Sequence, residues 1–101
     1  MGRNRIVLDG RLLGREALRH TPAGIPALNF RVGHLSEQME AGLPRSVSLE
    51  IEAVALGEVA QQLSRAPEDA AGSFEGFLAQ RSRGSRLAVL HVDRFEPDSS
   101  T

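Results

Sequence analysis

The chain of 101 residues contains no cysteine, tryptophan, tyrosine or lysine, and these absences narrow its class. Without cysteine it has no disulfide and no thiolate metal site, which agrees with a reducing cytoplasm as its compartment. Its three histidines lie on separate predicted elements and form no metal-binding set, so no cofactor is expected. No apolar run approaches the roughly 20 residues of a membrane-spanning helix. The N-terminus also lacks the apolar core and cleavage site of a signal peptide.

The net charge of −1 is the sum of three segments whose charges differ in sign and size. Residues 1–35 carry six arginines and two acids (net +4), whereas residues 36–75 carry two arginines and eight acids (net −6). Residues 76–101 carry four arginines and three acids (net +1). Because phosphates feel charges within a Debye length of about 8–10 Å, the local charge decides whether a nucleic acid binds. The exclusive use of arginine suits phosphate recognition, although a genomic codon bias would produce it equally well.

Apolar residues that alternate with polar ones predict most of the secondary structure. A chain of this length builds one hydrophobic core, and we expect a single domain over residues 1–96. Residues 35–44 are polar and end in Ala-Gly-Leu-Pro, which predicts a loop, and the tail 97–101 is predicted to be disordered. Five strands are expected, at residues 5–13, 27–34, 47–53, 73–80 and 87–96.

Apolar residues at spacings of three and four follow the third predicted strand. They predict a short amphipathic helix whose buried face consists of Leu56, Val59, Ala60 and Leu63. Pro67 prevents this helix from continuing. The order is therefore three strands, one helix and two strands. This is the order of the OB-fold, a five-stranded Greek-key β-barrel with its helix between strands 3 and 4. A split α+β sheet shares the order, so periodicity by itself does not decide between the two.

Five short sequences add information that periodicity does not contain. They are NRIVLDG at residues 4–10, TPAGIP at 21–26, LNFRVGH at 28–34, EAGLPR at 40–45 and LAVLHV at 87–92. In their order and spacing they resemble the primosomal replication protein N family, and the resemblance runs from Asn4 to about Glu96. Members of that family are homodimeric OB-folds related to the bacterial single-stranded-DNA-binding protein.

The resemblance implies a non-enzymatic accessory protein of replication restart. Such a protein would bind single-stranded DNA and dock on the primosomal helicase PriA, with other primosome components such as DnaT as further candidate partners. The implied homodimer would bury apolar residues that a barrel of this size leaves exposed, on the first or the fourth strand.

Two other functional classes stay open from the residues themselves. One is a protein adaptor, whose barrel and acidic middle segment bind the helicase while its own DNA affinity is low. The other is an enzyme. The sequence gives this class no support, since it shows no nucleophile–base pair, no paired acids, no phosphate-binding glycine loop and no metal motif.

A single strand of DNA is held by a basic groove that follows the phosphates and by flat side chains on which the bases stack. OB-folds provide both from strands 2 and 3 and from the loops that join strands 1–2 and 4–5. The loop at residues 81–86 has three arginines separated by serine and glycine, which predicts an exposed, adaptable phosphate contact. A solvated hairpin tip whose charges prevent edge-to-edge aggregation would have the same composition. The resemblance places basic residues at Arg81, Arg83 and Arg86.

Three further arginines are candidate DNA contacts. Arg19 opens the first loop, where the family also has a basic residue, and is otherwise a surface charge at a strand end. Arg45 lies at the start of the third predicted strand. Arg31 points outward on the second strand, where it contacts DNA or pairs with Glu50 or Glu52 across the sheet. The complete set of predicted DNA-binding residues is Arg19, Arg31, Arg45, Arg81, Arg83 and Arg86.

Stacking platforms are scarce, since the only aromatic residues besides histidine are four phenylalanines. Phe30 shares a face with apolar neighbours and is assigned to the core. At most one of Phe74 and Phe77 can point inward if their strand is regular. Either Phe77 or Phe95 is therefore a candidate for the surface, where it would face DNA or a second copy of the chain.

The sequence departs from the family pattern at three positions that matter for DNA. Leu43 replaces an expected aromatic residue, Ser48 an expected tryptophan and Leu35 an expected basic residue. Glu50 and Glu52 point outward on the sheet that should face DNA, and they repel phosphates. We therefore expect weak and strongly salt-dependent binding, carried by arginine and phosphate.

Overall fold

The computed structural model describes residues 1–98, which fold into six strands and one helix. The helix, α1 (Glu58–Arg65), lies between the fourth and the fifth strand. The strands are β1 (Ile6–Leu13), β2 (Arg19–His20), β3 (Pro26–Glu40), β4 (Leu43–Leu56), β5 (Ala71–Gln80) and β6 (Ala88–Pro97). β2 has two residues and pairs with β3 inside the first connection. Counted over the five long strands, the helix follows the third strand, as predicted.

The five long strands close a barrel. β1 pairs antiparallel with β5 along one edge and with β3 along the other, while β3 pairs with β4 and β5 with β6. A parallel ladder between β4 and β6, in which Val54 lies opposite His91, completes the circle. This is the predicted OB-fold barrel, and it excludes the split α+β sheet.

β1 changes partners where glycine lets two strands approach closely. Arg11 lies opposite both β5 and Gly33 of β3. A Cβ on the neighbouring Gly10 would meet the carbonyl oxygen of Gly33. Gly10 therefore lies where β1 and β3 cross at close range. A separate shift in register occurs in the β5–β6 ladder, between Glu75 and Gly76 of β5.

Apolar side chains from every long strand and from α1 fill the barrel. Phe74 is fully buried and contacts Phe30 and Phe95, with ring centroids 6.1 and 4.7 Å away. Burying each such side chain stabilises the fold by about 1.5–3 kcal/mol. The assignment of Phe30 to the core is confirmed. Phe95 is buried as well, so Phe77 is the phenylalanine that reaches the surface.

The prediction of a loop at residues 35–44 is wrong, because β3 and β4 continue as a paired two-stranded ribbon as far as Glu40 and Leu43. Only Ala41 and Gly42 form the turn, and both have positive φ (52° and 77°), as a two-residue hairpin turn requires. The far part of the ribbon is exposed on both faces. Neither face needs apolar residues there, so a composition that is typical of a loop forms strands instead.

α1 packs against β3, β4 and β6 through three of its predicted apolar residues, Val59, Ala60 and Leu63. Leu56, the fourth predicted position, is instead the last residue of β4 and is half exposed. Gly57 separates the two elements, since its φ of 81° turns the chain. The helix ends at Arg65, before Pro67, as predicted. Within residues 1–98, no helix has the length and apolar character needed to cross a membrane.

The end of β6 corrects part of the predicted tail. Pro97 is the last residue of β6, and the Asp98 N–H donates to the Ala71 carbonyl oxygen at 3.0 Å. These two residues were expected to be disordered, and both are held against β5 by backbone pairing. Residues 99–101 of the predicted tail lie outside the described part of the chain.

Candidate nucleic-acid interface

A groove of about 420 Å³ lies on the outer face of the barrel, across β3, β4 and β6. Arg19 of β2 lines it from the first connection, and Arg81 lines it from the loop between β5 and β6. Arg31 of β3 and Glu52 of β4 contribute from the strands. The groove therefore joins the two loops and the two strands that the sequence predicts as the DNA-binding face. It contains three of the six predicted arginines.

Arg19 is held in the groove by Asn29. Its Nε and Nη2 donate to Oδ1 of Asn29 at 3.2 and 2.9 Å. The pairing of β2 with β3 places Arg19 opposite Ala27, two residues before Asn29. One amide oxygen occupies two of the five guanidinium N–H donors, so the others stay available to a phosphate. The fixed side chain also loses less entropy when a ligand binds.

The other two groove arginines contact carboxylates. Arg31 Nε donates to Glu50 Oε1 at 3.0 Å, and Arg81 Nε lies 3.7 Å from Glu52 Oε2. The pair between Arg31 and Glu50 is the structural alternative that the sequence left open. All four side chains are about half exposed, and exposed ion pairs contribute only ~0–1 kcal/mol. A phosphate can therefore replace either carboxylate, although the acids reduce the positive potential of the groove.

The loop at residues 81–87 presents the remaining loop arginines. The Arg81 N–H donates to the Leu87 carbonyl oxygen at 2.9 Å and closes the base of the loop. Arg83 and Arg86 are exposed, and neither forms an ion pair with a carboxylate among residues 1–98. Neither residue lines the groove, but both lie in the same loop as Arg81, and their guanidinium groups can contact phosphates.

Arg45 lies apart from the groove. It is opposite Gln38 near the hairpin turn, and its Nη1 donates to Glu40 Oε1 at 2.7 Å. Seven positions of β3 separate Arg31 from Gln38, which corresponds to roughly 23 Å along a strand. An odd separation also places the two side chains on opposite faces. A DNA contact at Arg45 stays a prediction, but it is not a contact in this groove.

A pair of rings at this site, His91 with Phe77, is not predicted from the sequence, although Phe77 itself is a predicted surface candidate. His91 of β6 lines the groove, and Phe77 of β5 lies directly opposite it in the β5–β6 ladder. Alternation places Phe77 outward, but its partner depends on the register of the β5–β6 hairpin. The last predicted strand begins at Leu87, one residue before β6 begins, and a slip of one residue changes every cross-strand pair. The sequence alone therefore leaves His91 as an isolated histidine.

Comparisons with known proteins bear on the family of the chain. Residues 4–94 match a family described as another single-strand binding protein family. The replication restart protein PriB of Bordetella pertussis is 44% identical over 91 residues, which are 90% of this chain and 85% of that protein. The structure of priB from Ralstonia solanacearum has a TM-score of 0.85 at 33% identity, covering 96% of this chain and 100% of that one.

A more distant structure has the same fold. The single-stranded DNA binding protein from Thermus aquaticus, a deletion mutant, is 22% identical with a TM-score of 0.74, over 98% of this chain and 52% of that one. At that identity the likeness concerns the fold alone. The matched family and the PriB relatives, in contrast, cover nearly the whole barrel with its groove. The chain therefore belongs to the PriB family of replication restart proteins, within the wider single-strand binding protein family.

Proposed function

We propose that the chain is a non-enzymatic replication restart protein that binds single-stranded DNA in the groove and along the loop at residues 81–87. The observation that carries this proposal is the joint position of Arg19, Arg31 and Arg81 in one groove of the barrel. OB-folds bind oligonucleotides on this face, between the first loop and the loop that joins the last two strands. The names of the relatives, replication restart protein and single-strand binding protein, support the same role. The proposed compartment is the cytoplasm, in agreement with the cysteine-free sequence.

The contacts favour binding through phosphates. Guanidinium groups bind phosphate through two parallel hydrogen bonds. Each phosphate neutralised on a single strand releases counterions, so that log K falls with log salt by a slope of about 0.7 per contact. Glu50 and Glu52 repel the same phosphates from positions beside Arg31 and Arg81. We therefore expect weak binding whose affinity falls steeply as salt is added.

Fluorescence anisotropy of a labelled dT oligonucleotide at low and high salt tests this proposal. A variant in which the three arginines of the loop at residues 81–87 become glutamate should lose nearly all binding. The charge-matched control should keep most of it, because its three arginines lie outside the groove and the loop; its substitutions are Arg3→Glu, Arg65→Glu and Arg94→Glu. Equal losses in the two variants, or tight binding that salt does not weaken, would contradict the proposal.

Docking on the primosomal helicase PriA, with DnaT as a further primosome partner, is the second part of the proposal. Membership of the replication restart family supports it. The ribbon of β3 and β4 carries exposed acids such as Glu37 and Glu40 beyond the barrel. It offers a protein partner a surface separate from the groove.

Two observations favour a second candidate function, that of a protein adaptor with little DNA affinity. Two of the three groove arginines already contact carboxylates, and the ribbon lacks the tryptophan expected at Ser48. The loop variant separates the two functions when it is assayed for stimulation of PriA. If stimulation survives while DNA binding is lost, the adaptor function is supported. If both are lost together, DNA binding carries the function.

The free edge of β1 supports a homodimer. β5 occupies one edge of β1 from Ile6 to Arg11, but β3 pairs with the other edge only from Arg11 to Leu13. Among residues 1–98 no strand pairs with that second edge between Ile6 and Leu8, and Val7 on this stretch is exposed. Because a free strand edge is a template for pairing with another chain, the two copies are proposed to pair through β1. Light scattering behind a sizing column should give the mass of two chains at micromolar concentration, and a monomer would contradict this.

A further inference from the structure

Two rings stand side by side at one margin of the groove. The phenyl ring of Phe77 and the imidazole of His91 are stacked, with centroids 5.0 Å apart and planes 10° from parallel. They come from directly opposite positions of β5 and β6. Cross-strand ring pairs stabilise a sheet. This pair is also accessible, since Phe77 is 38% exposed and His91 is half-buried.

The order of the strands shows which ring faces the groove. β6 lies between β5 and β4, and His91 lies opposite Val54 of β4. His91 and Val54 both line the groove, whereas Phe77 does not. The imidazole therefore stands between the phenyl ring and the groove. The other face of the imidazole is turned toward β4, where Val54 is its neighbour, and it borders the groove.

The surroundings of this face fit a nucleotide. Val54 and Val89 add apolar contacts to the groove, and Arg31 and Arg81 line it with guanidinium groups. A ring plane beside apolar side chains accepts a base, and arginines accept the phosphates that flank it. The chain has no tryptophan or tyrosine, and the three phenylalanines other than Phe77 are buried in the core.

We propose that a base of single-stranded DNA stacks on the His91 imidazole, and that Phe77 acts as a positioning residue that holds the imidazole from behind. This subsite rests on the proposed DNA binding in the groove, and it adds a base contact to the phosphate contacts of the arginines. Every base has a π-face, so the subsite accepts any sequence. Removing one stacking platform of this kind lowers affinity by about fivefold or more.

The test compares a dT oligonucleotide with an abasic oligonucleotide of the same length, which keeps the phosphates and has no bases. His91→Leu should weaken dT binding by about fivefold or more and leave abasic binding unchanged. His91→Phe should restore dT binding, and Phe77→Leu should weaken it by less than His91→Leu does. The matched control is His20→Leu, which replaces an exposed histidine outside the groove and should change neither affinity.

A second measurement does not depend on a loss of binding. Because the chain has no tryptophan, His91→Trp places a single indole at the margin of the groove. Its fluorescence should be quenched by the dT oligonucleotide and not by the abasic one, since only a stacked base approaches the indole plane.

The outcomes separate the subsite from the function on which it rests. If the unchanged protein binds neither oligonucleotide, the proposed function is overturned together with the subsite. If it binds dT, but His91→Leu keeps full affinity and His91→Trp shows no quenching, the subsite is wrong and the proposed function stands. If Phe77→Leu changes the mass measured by light scattering, the ring pair belongs to an interface between copies, which also overturns the subsite.

Discussion

Leu35 of β3 and Ser48 of β4 lie directly opposite each other in the ribbon that extends from the barrel. They share a face with Arg31, because residues at even separations along a strand point to the same side. The family resemblance leads us to expect a basic residue in place of Leu35 and a tryptophan in place of Ser48. Two departures that are distant in the sequence are therefore neighbours, and together they remove a phosphate contact and a stacking platform from one place.

Ser48→Trp should restore stacking at this place. The position is exposed, so the indole needs no change in core packing. A stacked base contributes about 1–3 kcal/mol, and affinity for a dT oligonucleotide should rise by about fivefold or more in an anisotropy titration. Gln38→Trp is the matched control, since it places an indole on the opposite face of the same ribbon. An equal gain from both variants would show that the face is irrelevant.

Glu50→Gln combined with Glu52→Gln should strengthen DNA binding. The two substitutions remove the carboxylates that contact Arg31 and Arg81. Each freed guanidinium can then bind a phosphate, so affinity should rise at low salt. The slope of log K against log salt should steepen by about 0.7 for each new phosphate contact. Anisotropy titrations at several salt concentrations measure both quantities.

A charge-matched control separates ion-pair release from a general change in net charge. Glu58→Gln with Glu68→Gln removes two negative charges from positions that do not line the groove. It should raise affinity slightly and leave the salt slope unchanged. If the groove variant has the slope of this control, the two carboxylates do not compete with phosphate.

Alternation predicts the barrel strands because one face of each is buried. Leu28, Phe30 and Val32 point into the core at every second position of β3. Beyond Ser36 the same strand has solvent on both faces, so the alternation stops while the backbone pairing continues. The pattern therefore reports burial, and burial coincides with strand structure only as far as the barrel extends.

The candidate site is predictable only in part for a related reason. Arginine marks a phosphate contact by its chemistry, so residue type alone identifies Arg31 and Arg81 as candidates. Which arginines share a groove depends on how β3, β4 and β6 close the barrel, and Arg45 shows that proximity to a loop in the sequence is not enough. The stacked pair of Phe77 and His91 depends on the register of the β5–β6 hairpin, which pairs Gln80 with Ala88 and which the alternation within each strand does not determine.

Gly76, at the register shift of β5, should not tolerate alanine. A Cβ there would meet the backbone carbonyl of His91 and would lie 3.0 Å from the Val92 Cα. Because backbone atoms cannot rotate away, we expect Gly76→Ala to destabilise the barrel by about 1–3 kcal/mol. Thermal unfolding followed by circular dichroism should show a decrease in Tm of about 4–8 °C for each kcal/mol in a domain of this size.

Gly33→Ala provides the matched comparison, since both glycines lie in barrel strands. A Cβ on Gly33 would meet the side chain of Leu13, which can adopt another rotamer. The decrease in Tm should therefore be smaller than for Gly76→Ala. Equal decreases would contradict the explanation by backbone contact.

Arg5 connects the start of β1 to β6 through a two-point contact with Asp93. Its Nη1 and Nη2 donate to Oδ2 and Oδ1 of Asp93 at 2.7 and 3.0 Å, and Nη2 also lies 3.3 Å from Glu75 Oε2. Asp93 is the extra residue of β6 at the register shift, since Arg94 pairs with Glu75 and Val92 with the next residue of β5. The hydrogen bonds from Arg5 lower the pKa of the Asp93 carboxyl below its usual value.

Asp93→Asn should therefore destabilise the barrel at neutral pH, and its effect should shrink in acid. The pKa of Asp93 is lower in the folded state than the value of about 3.9 in an unfolded chain, so the stabilisation is complete above that value. It is lost as the pH falls through the folded-state pKa, where the carboxylate of the folded protein is protonated. The Tm difference between the unchanged protein and Asp93→Asn should be constant from about pH 7 to pH 5 and then decrease. Glu68→Gln is the control, since Glu68 takes part in none of the ion pairs formed by residues 1–98, and it should not reproduce this trend. A Tm difference that grows as the pH falls would contradict a lowered pKa of Asp93 in the folded state.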